Sequence, residues 1–400
     1  GRSLVADFYF DKHMGELAKV IEDHLDSQTV VGVTTFSSHI VGLRKMPAYT
    51  QLVQEGRMPI RFAFSNRYCQ QIEVDIPGCF LRAGDYAGLG DRNNYFWNVG
   101  ITLGGIDNGP PAVCTTMEGP AEFKAKEECI IQPGNEYWKA VYAAIRSRYR
   151  YVVNHSWGDK GVDYVLDIMD ELIKDNPESF SADFFKSRRF TSDHCGFYPT
   201  PNQLPRMARF GWMVSCTTNA LTRSAPYLQV YGKKYENRLA PIGSTIRAGV
   251  MPTYEAELDV DMSKPENVVQ PLHLDAKPFI TRVNRWGDVI SKADAVDRET
   301  LLKMSTIWAA YYVMREKELG SLEPGKFADY VVWNKDYLTV PIEEFQTLYP
   351  LMTVVGNKTR VLREEFAKDL GMPAVGKQAK WNFKEEKPEP VDLLKGGGGE

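Results

Sequence analysis

Four hundred residues exceed the smallest domains and suit one barrel-sized domain with an appendage. A hydrophobic fraction of 43% with 25% charged residues is ordinary for a soluble globular protein. A net charge of −4 and a pI near 6.0 speak against nucleic acid or an anionic membrane as the main partner.

Apolar runs such as 30–33 and 152–153 fall far short of the ~20 residues a membrane span needs, and no secretory leader is visible at Gly1. Lys12 to Leu25 reads as a helix, with Leu17, Val20, Ile21 and Leu25 on one face. Gln28 to Phe36 reads as a β-branched strand closing on Ser37, Ser38 and His39. Met46 to Gln54 is helical and Gly56 ends it; residues 59–64 form the next strand. Residues 69–94 and 107–133 are long loops, of the kind that is functional or mobile, and 95–103 is a strand between them. Residues 136–148 are helical and 149–154 extended. Past His155, Val162, Val165, Ile168, Met169 and Leu172 repeat at helical spacing, behind a turn at Gly158 and a capping Asp159. Strands follow at 189–193, 212–216 and 250–254, with helices at 201–210 and 241–248 between them. Asp297 caps a helix running to Met314.

Alternating strand and helix means α/β with parallel strands. Seven such strands are visible, at 29–36, 59–64, 95–103, 149–154, 189–193, 212–216 and 250–254. A closed (β/α)8 barrel needs eight, and the missing one belongs before residue 1. The chain therefore divides into a barrel incomplete at its N-terminus (1–319), a small C-terminal β-sandwich element (320–375) with strands at 327–333 and 352–355, and an extended or disordered tail (376–400) that includes four consecutive glycines.

The six cysteines, Cys69, Cys79, Cys114, Cys129, Cys195 and Cys216, contain no CxxC pair and read as reduced thiols in a chain this long. Cys195 beside His194 is either reactive or, the favoured reading, simply packed.

The organising stretch is 151–195. Each half ends a strand-like run on a histidine, His155 and His194, and the two are 39 residues apart, about the ~31 residues that one βα unit of a barrel spends. Two imidazoles at the C-terminal ends of neighbouring strands face one pocket and suit a metal. The other reading is two unrelated histidines, one capping a helix and one in a core.

Gly320-Ser-Leu-Glu-Pro-Gly-Lys-Phe-Ala-Asp-Tyr-Val-Val-Trp333 resembles the closing signature of the amidohydrolase superfamily, where the chain leaves the barrel for a small β-sandwich. Asn154-His155-Ser-Trp-Gly-Asp159 with Val162-Asp163 resembles the fifth-strand motif of its amidohydrolase-3 branch, which includes N-substituted formamide deformylases. Asp193-His194-Cys195 followed by 205–211 resembles the sixth-strand motif, and Gly32-Val-Thr-Thr35 the second strand. The likeness covers most of residues 11–361. The departures are three. The first-strand His-x-His pair occurs nowhere among His13, His24, His39, His155, His194 and His273. Gly100 stands where family members often carry a carboxylated lysine. Glu257 stands opposite the strand-eight aspartate, with Glu255 or Asp259 in its place if the register slips.

The resemblance implies a metal-dependent hydrolase of a C–N bond in a small, amide-type substrate. His155 and His194 would hold a divalent metal, zinc by preference and iron or manganese otherwise, and Glu257 would act as proton carrier. Trp157 and Tyr254, with Tyr95, Phe96 and Trp97, would line an aromatic mouth. Two protein ligands are too few for a catalytic zinc, so a companion chain or a preceding segment would supply the rest; His39 is a local candidate. The alternatives are a non-catalytic structural subunit on the same fold and a metal-dependent lyase or hydratase. A cytoplasmic homo-oligomer is expected.

Overall fold

A computed structural model describes residues 9–40, 45–67, 69, 75–107, 109, 113–121, 129–152, 154–256, 260, 262 and 266–384. Its strands line up in parallel. β1 (Thr35–Ile40), β2 (Arg61–Asn66) and β3 (Phe96–Ile101) form one sheet in that order. Ile101 then bridges Tyr151, Gly105 bridges His155, and His155 bridges Asp193, all in parallel. This stave of single bridges leads into β4 (Thr191–Ser192), β5 (Met213–Cys216) and β6 (Met251–Tyr254). Seven parallel staves result; the first overlaps its expected span only at Thr35 and Phe36, and among the described residues no pairing joins β1 to β6.

Strand alternation sorts the side chains into two faces. Phe62, Phe64 and Phe96 pack outward against α1 (Met14–Thr29) and α2 (Met46–Gln54). Ala63, Trp97, Val99, Val152, Met213 and Met251 come from five staves yet form one cluster. Side chains from so many staves meet only if the sheet curls around them, so this cluster is the interior. Outside, α3 (Lys160–Asp175) buries Val162, Val165, Leu166, Ile168, Met169 and Leu172 completely, each contributing roughly 1.5–3 kcal/mol.

Several elements shift from their expected bounds. α1 runs on to Thr29, and Val30 and Val31 leave the expected strand to pack with Val260, Val269 and Val361, so β1 begins only at Thr35 and includes His39. Asp159 precedes α3 but makes no cap; its carboxylate instead accepts from the hydroxyls of Thr115 and Thr116 and from Arg238. The helix after Asp297 is capped by that residue through Thr300 N at 2.7 Å, but breaks at Thr306 into two pieces. All six cysteines are paired, as Cys69–Cys79, Cys114–Cys129 and Cys195–Cys216, which corrects the reduced-thiol expectation. The partners are 10, 15 and 21 residues apart, with no motif spacing that announces a bridge.

The C-terminal element is an antiparallel sheet of β8 (Tyr330–Trp333), β9 (Pro350–Val355) and β10 (Lys358–Leu362), with β9 in the middle. β7 (Val268–Val269) pairs with β11 (Lys380–Trp381). The stretch from 376 to 384, expected as tail, is therefore built into the fold. One ion pair fastens the C-terminal sheet to the barrel. Arg61, fully buried at the start of β2, meets both oxygens of Asp329 at 2.6 and 3.0 Å, between the rings of Tyr95 and Phe327. No helix of the described residues is long and apolar enough to cross a membrane.

Candidate metal and active site

Staves that run in parallel end on one rim, and the sequence places polar groups there. Asn154, fully buried, donates to Thr191 O at 3.2 Å and accepts from the Thr102 hydroxyl at 3.4 Å. It thereby ties three staves together just before His155. His194 and Cys195 follow β4 with φ of 78° and 52°. Left-handed backbone at two non-glycine residues costs of order 1–3 kcal/mol each and survives only where the surroundings impose it. Here the Cys195–Cys216 disulfide and a carboxylate impose it. Glu255, one residue past β6, accepts from His194 N at 3.0 Å with one oxygen and meets His194 Nδ1 at 2.7 Å with the other. Glu255 N in turn donates to Cys216 O at 2.9 Å.

The His194 Nε2 atom thus points away from Glu255, and it meets His155 Nδ1 at 2.5 Å, with the rings 75° apart. The two expected ligands do converge. His155 and His194 would hold a divalent cation there, the two nitrogens addressing one point at the ends of neighbouring staves. The donor chemistry fits: two imidazole nitrogens, one backed by a carboxylate that fixes ring and tautomer, as metal-bound histidines require. The ligand number does not yet suffice, since the described residues contain no cluster of three or more His, Cys, Asp or Glu side chains able to hold a metal.

A second acid holds the floor of the site. Asp107 is buried and accepts from Trp157 N at 2.8 Å, Gly158 N at 2.7 Å and Cys114 N at 3.1 Å. Burial pushes its carboxyl up to about 7 despite those three donors. The loop lies so close that a Cβ on Gly158 would stand 2.0 Å from Cys114 O. Asp107 therefore aims Trp157, whose indole lies 6.0 Å from the His194 ring. Sequence reading passed over Asp107 as part of a long loop. Its position just beyond the paired glycines that end a strand was the available signal.

The remaining expected residues divide. Glu257 and Asp259 lie outside the described residues; among the described residues Glu255 reaches a site histidine. Tyr254, expected on the substrate side, turns away, because successive strand residues face opposite sides: its hydroxyl donates to Asp275 Oδ2 at 2.9 Å and its ring packs on Phe279. Tyr95, Phe96 and Trp97 sit at the beginning of β3, opposite the rim, and Trp97 Nε1 donates to Val313 O at 2.9 Å. Gly100 matches its expected role as a departure. It has φ 140°, and a Cβ there would stand 2.4 Å from Arg150 O, leaving no room for a lysine. His39 pairs opposite Ser65 on β1 and touches neither site histidine among the described contacts. Its imidazole is lowered to about 4 by burial first, and then by Arg67 and Lys45.

The model of the amidohydrolase-3 type, described as the amidohydrolase family, matches residues 11–361. No curated protein matches the chain. Among solved structures it is similar to an uncharacterized metal-dependent hydrolase from Pyrococcus horikoshii OT3, with a TM-score of 0.63, 14% identity, and coverage of 83% of this chain and 62% of that one. A second, from Pyrococcus furiosus, gives 0.59 at 17% identity, covering 80% and 60%. Atrazine chlorohydrolase TrzN from Arthrobacter aurescens TC1, complexed with zinc, gives 0.50 at 16% identity, covering 86% and 71%. The chain thus spans about three fifths of the length of the first two structures. The likeness is one of fold, a TIM-type α/β barrel, the class to which the parallel staves belong.

Proposed function

Because the chain belongs to the amidohydrolase family, we propose that it serves a metal-dependent hydrolase activity on a C–N bond of a small amide-type substrate. The observation that carries this reading is the convergence of His155 Nδ1 and His194 Nε2 on one point, with Glu255 behind His194. A divalent cation, zinc by preference, would supply Lewis acidity and acidify a water there. His155 and His194 would hold it. Glu255 keeps the Nδ1 proton of His194 in place, so that Nε2 presents its lone pair. Asp107 holds the Trp157 loop, whose indole gives the substrate an apolar wall.

The ligands still needed come, in this reading, from a strand between β1 and β6, which no pairing joins among the described residues, for example on a companion chain. The proton carrier is Glu257 or a group on that added strand, since Glu255 is committed to His194. A second reading is a structural subunit that keeps the same fold without the metal. The three disulfides favour an oxidising compartment over the cytoplasm.

Metal analysis of the purified protein, with anything that accompanies it, separates the two. The hydrolase reading expects close to one equivalent of zinc or manganese after loading, lost in His155→Ala and His194→Ala. Metal content that stays at zero, or that ignores both substitutions, hands the case to the structural subunit.

A further inference from the structure

The interior face of β1 and β2 carries polar groups that the site above does not use. On β2, Phe62 and Phe64 face the helices, while Arg61 and Ala63 face inward with Ser65. The same period of two carries inward to Arg67, just past the strand. Parallel register sets Ser37 beside Ala63 and His39 beside Ser65, on the same inward face. The hydroxyls of Ser37 and Ser65 and the Nε of Arg67 are buried and have no hydrogen-bond partner. Three neighbouring buried polar groups without partners are unusual in a native interior.

Arg67 differs from the other inward or buried arginines. Arg61 pairs with Asp329. Arg150 donates to four carbonyls, and Arg282 to three. Arg67 makes no hydrogen bond or ion pair with any described residue. Its guanidinium carbon lies 3.9 Å from where a Cβ on Gly104 would stand, and the next residue, Gly105, has its own Cβ position 3.5 Å from His155 Cδ2. The cation therefore sits on the same rim as the site histidine, one residue along. Among the described residues the titratable group beside it is His39, which both Arg67 and Lys45 hold towards its neutral form and which is no anion. Among the described residues this half-buried guanidinium has no counter-charge, and an anion at that spot would supply one. Its fork of donors matches a carboxylate in two-point geometry.

We propose that Arg67, with Ser65 and His39 beside it, is an anion subsite that takes a carboxylate of the substrate, so that the amide this site receives is negatively charged. This rests on the hydrolase reading for the word amide, and on the geometry of β1 and β2 for the charge.

The test uses two probes of equal shape, N-formylphenylalanine and its neutral carboxamide, on the purified full chain with and without loaded zinc. Calorimetric titration should show the acid binding at least tenfold more tightly than the carboxamide. Arg67→Gln should bring that ratio close to one, Arg67→Lys should keep part of it, and sodium chloride should erode it in the unsubstituted chain. The salt series stands even if the glutamine variant fails to fold. A ratio near one in the unsubstituted chain, or one that Arg67→Gln leaves intact, overturns the subsite, as does the absence of detectable acid binding. Turnover of both probes at equal efficiency removes the subsite and leaves the hydrolase standing. Charge-selective binding with no turnover does the reverse.

Discussion

Glu255 grips His194 at two points, its oxygens lying 3.0 Å from the backbone nitrogen and 2.7 Å from Nδ1. One carboxylate thereby sets both the left-handed backbone of the histidine and the tautomer of its ring. Loss of an outer partner of this kind typically costs 10–100-fold in metal affinity. Glu255→Gln keeps the shape but replaces one acceptor oxygen by a donor, so metal affinity should fall by about that factor. Competition against a chelator of known strength reads it out. A variant as tight as the parent would mean that Glu255 does not orient the ligand.

The Cys195–Cys216 disulfide braces the same histidine from the other side. The unfolded but unreduced chain should show no reactive thiol, and the reduced chain all six. A disulfide contributes typically 2–4 kcal/mol. Cys195→Ala together with Cys216→Ala should therefore lower stability by about that amount and weaken metal binding as well. A double variant that loses stability and keeps its metal affinity would make the bridge a staple of the fold alone.

How much of this was legible beforehand depended on whether a signal was local. The helix at 160–175 is written in its own periodicity, and His155 and His194 end runs whose pattern marks a stave. The identity of the acid was not legible. Glu255, Glu257 and Asp259 share one strand parity, so sequence alone does not choose between them; Glu255 meets His194, and the other two lie outside the described residues. Tyr254 was misjudged for the same reason, being one residue out of phase with the rim. The disulfides and the Arg67 wall depend on which loops and faces meet, and that is decided by the curl of the sheet.

Arg61 and Asp329 explain why the C-terminal signature contains its aspartate. The pair is buried, and Asp329 Oδ1 also accepts from Gly356 N at 2.7 Å. Removing one member strands the other: Asp329→Ala should cost about 3–5 kcal/mol by urea unfolding. Arg61→Met with Asp329→Leu should recover much of that loss, because replacing both charges removes the desolvation cost. If the double variant is as unstable as the single one, the hydrogen bonds to Gly356 and to the carbonyls of Asn93 and Asn94 outweigh the charge.

His273 gives the fold a pH limit remote from the site. It is buried, with Trp333, Tyr337 and Phe345 around its ring at 4.5, 5.4 and 5.2 Å. Burial lowers its imidazole to about 4, against 6.5 in the unfolded chain. Between those values the unfolded chain binds the proton and the folded one does not. The contribution is therefore complete above about 6.5 and is lost as pH falls towards 4, amounting to roughly 3 kcal/mol at the lower end. His273→Gln removes the titration, so the difference in unfolding free energy between parent and variant should shrink as pH falls across that window. His39, also lowered to about 4, stays in both proteins and cancels from the comparison. A difference that is flat from pH 7 to 4 would show that burial does not move His273 from its unfolded value.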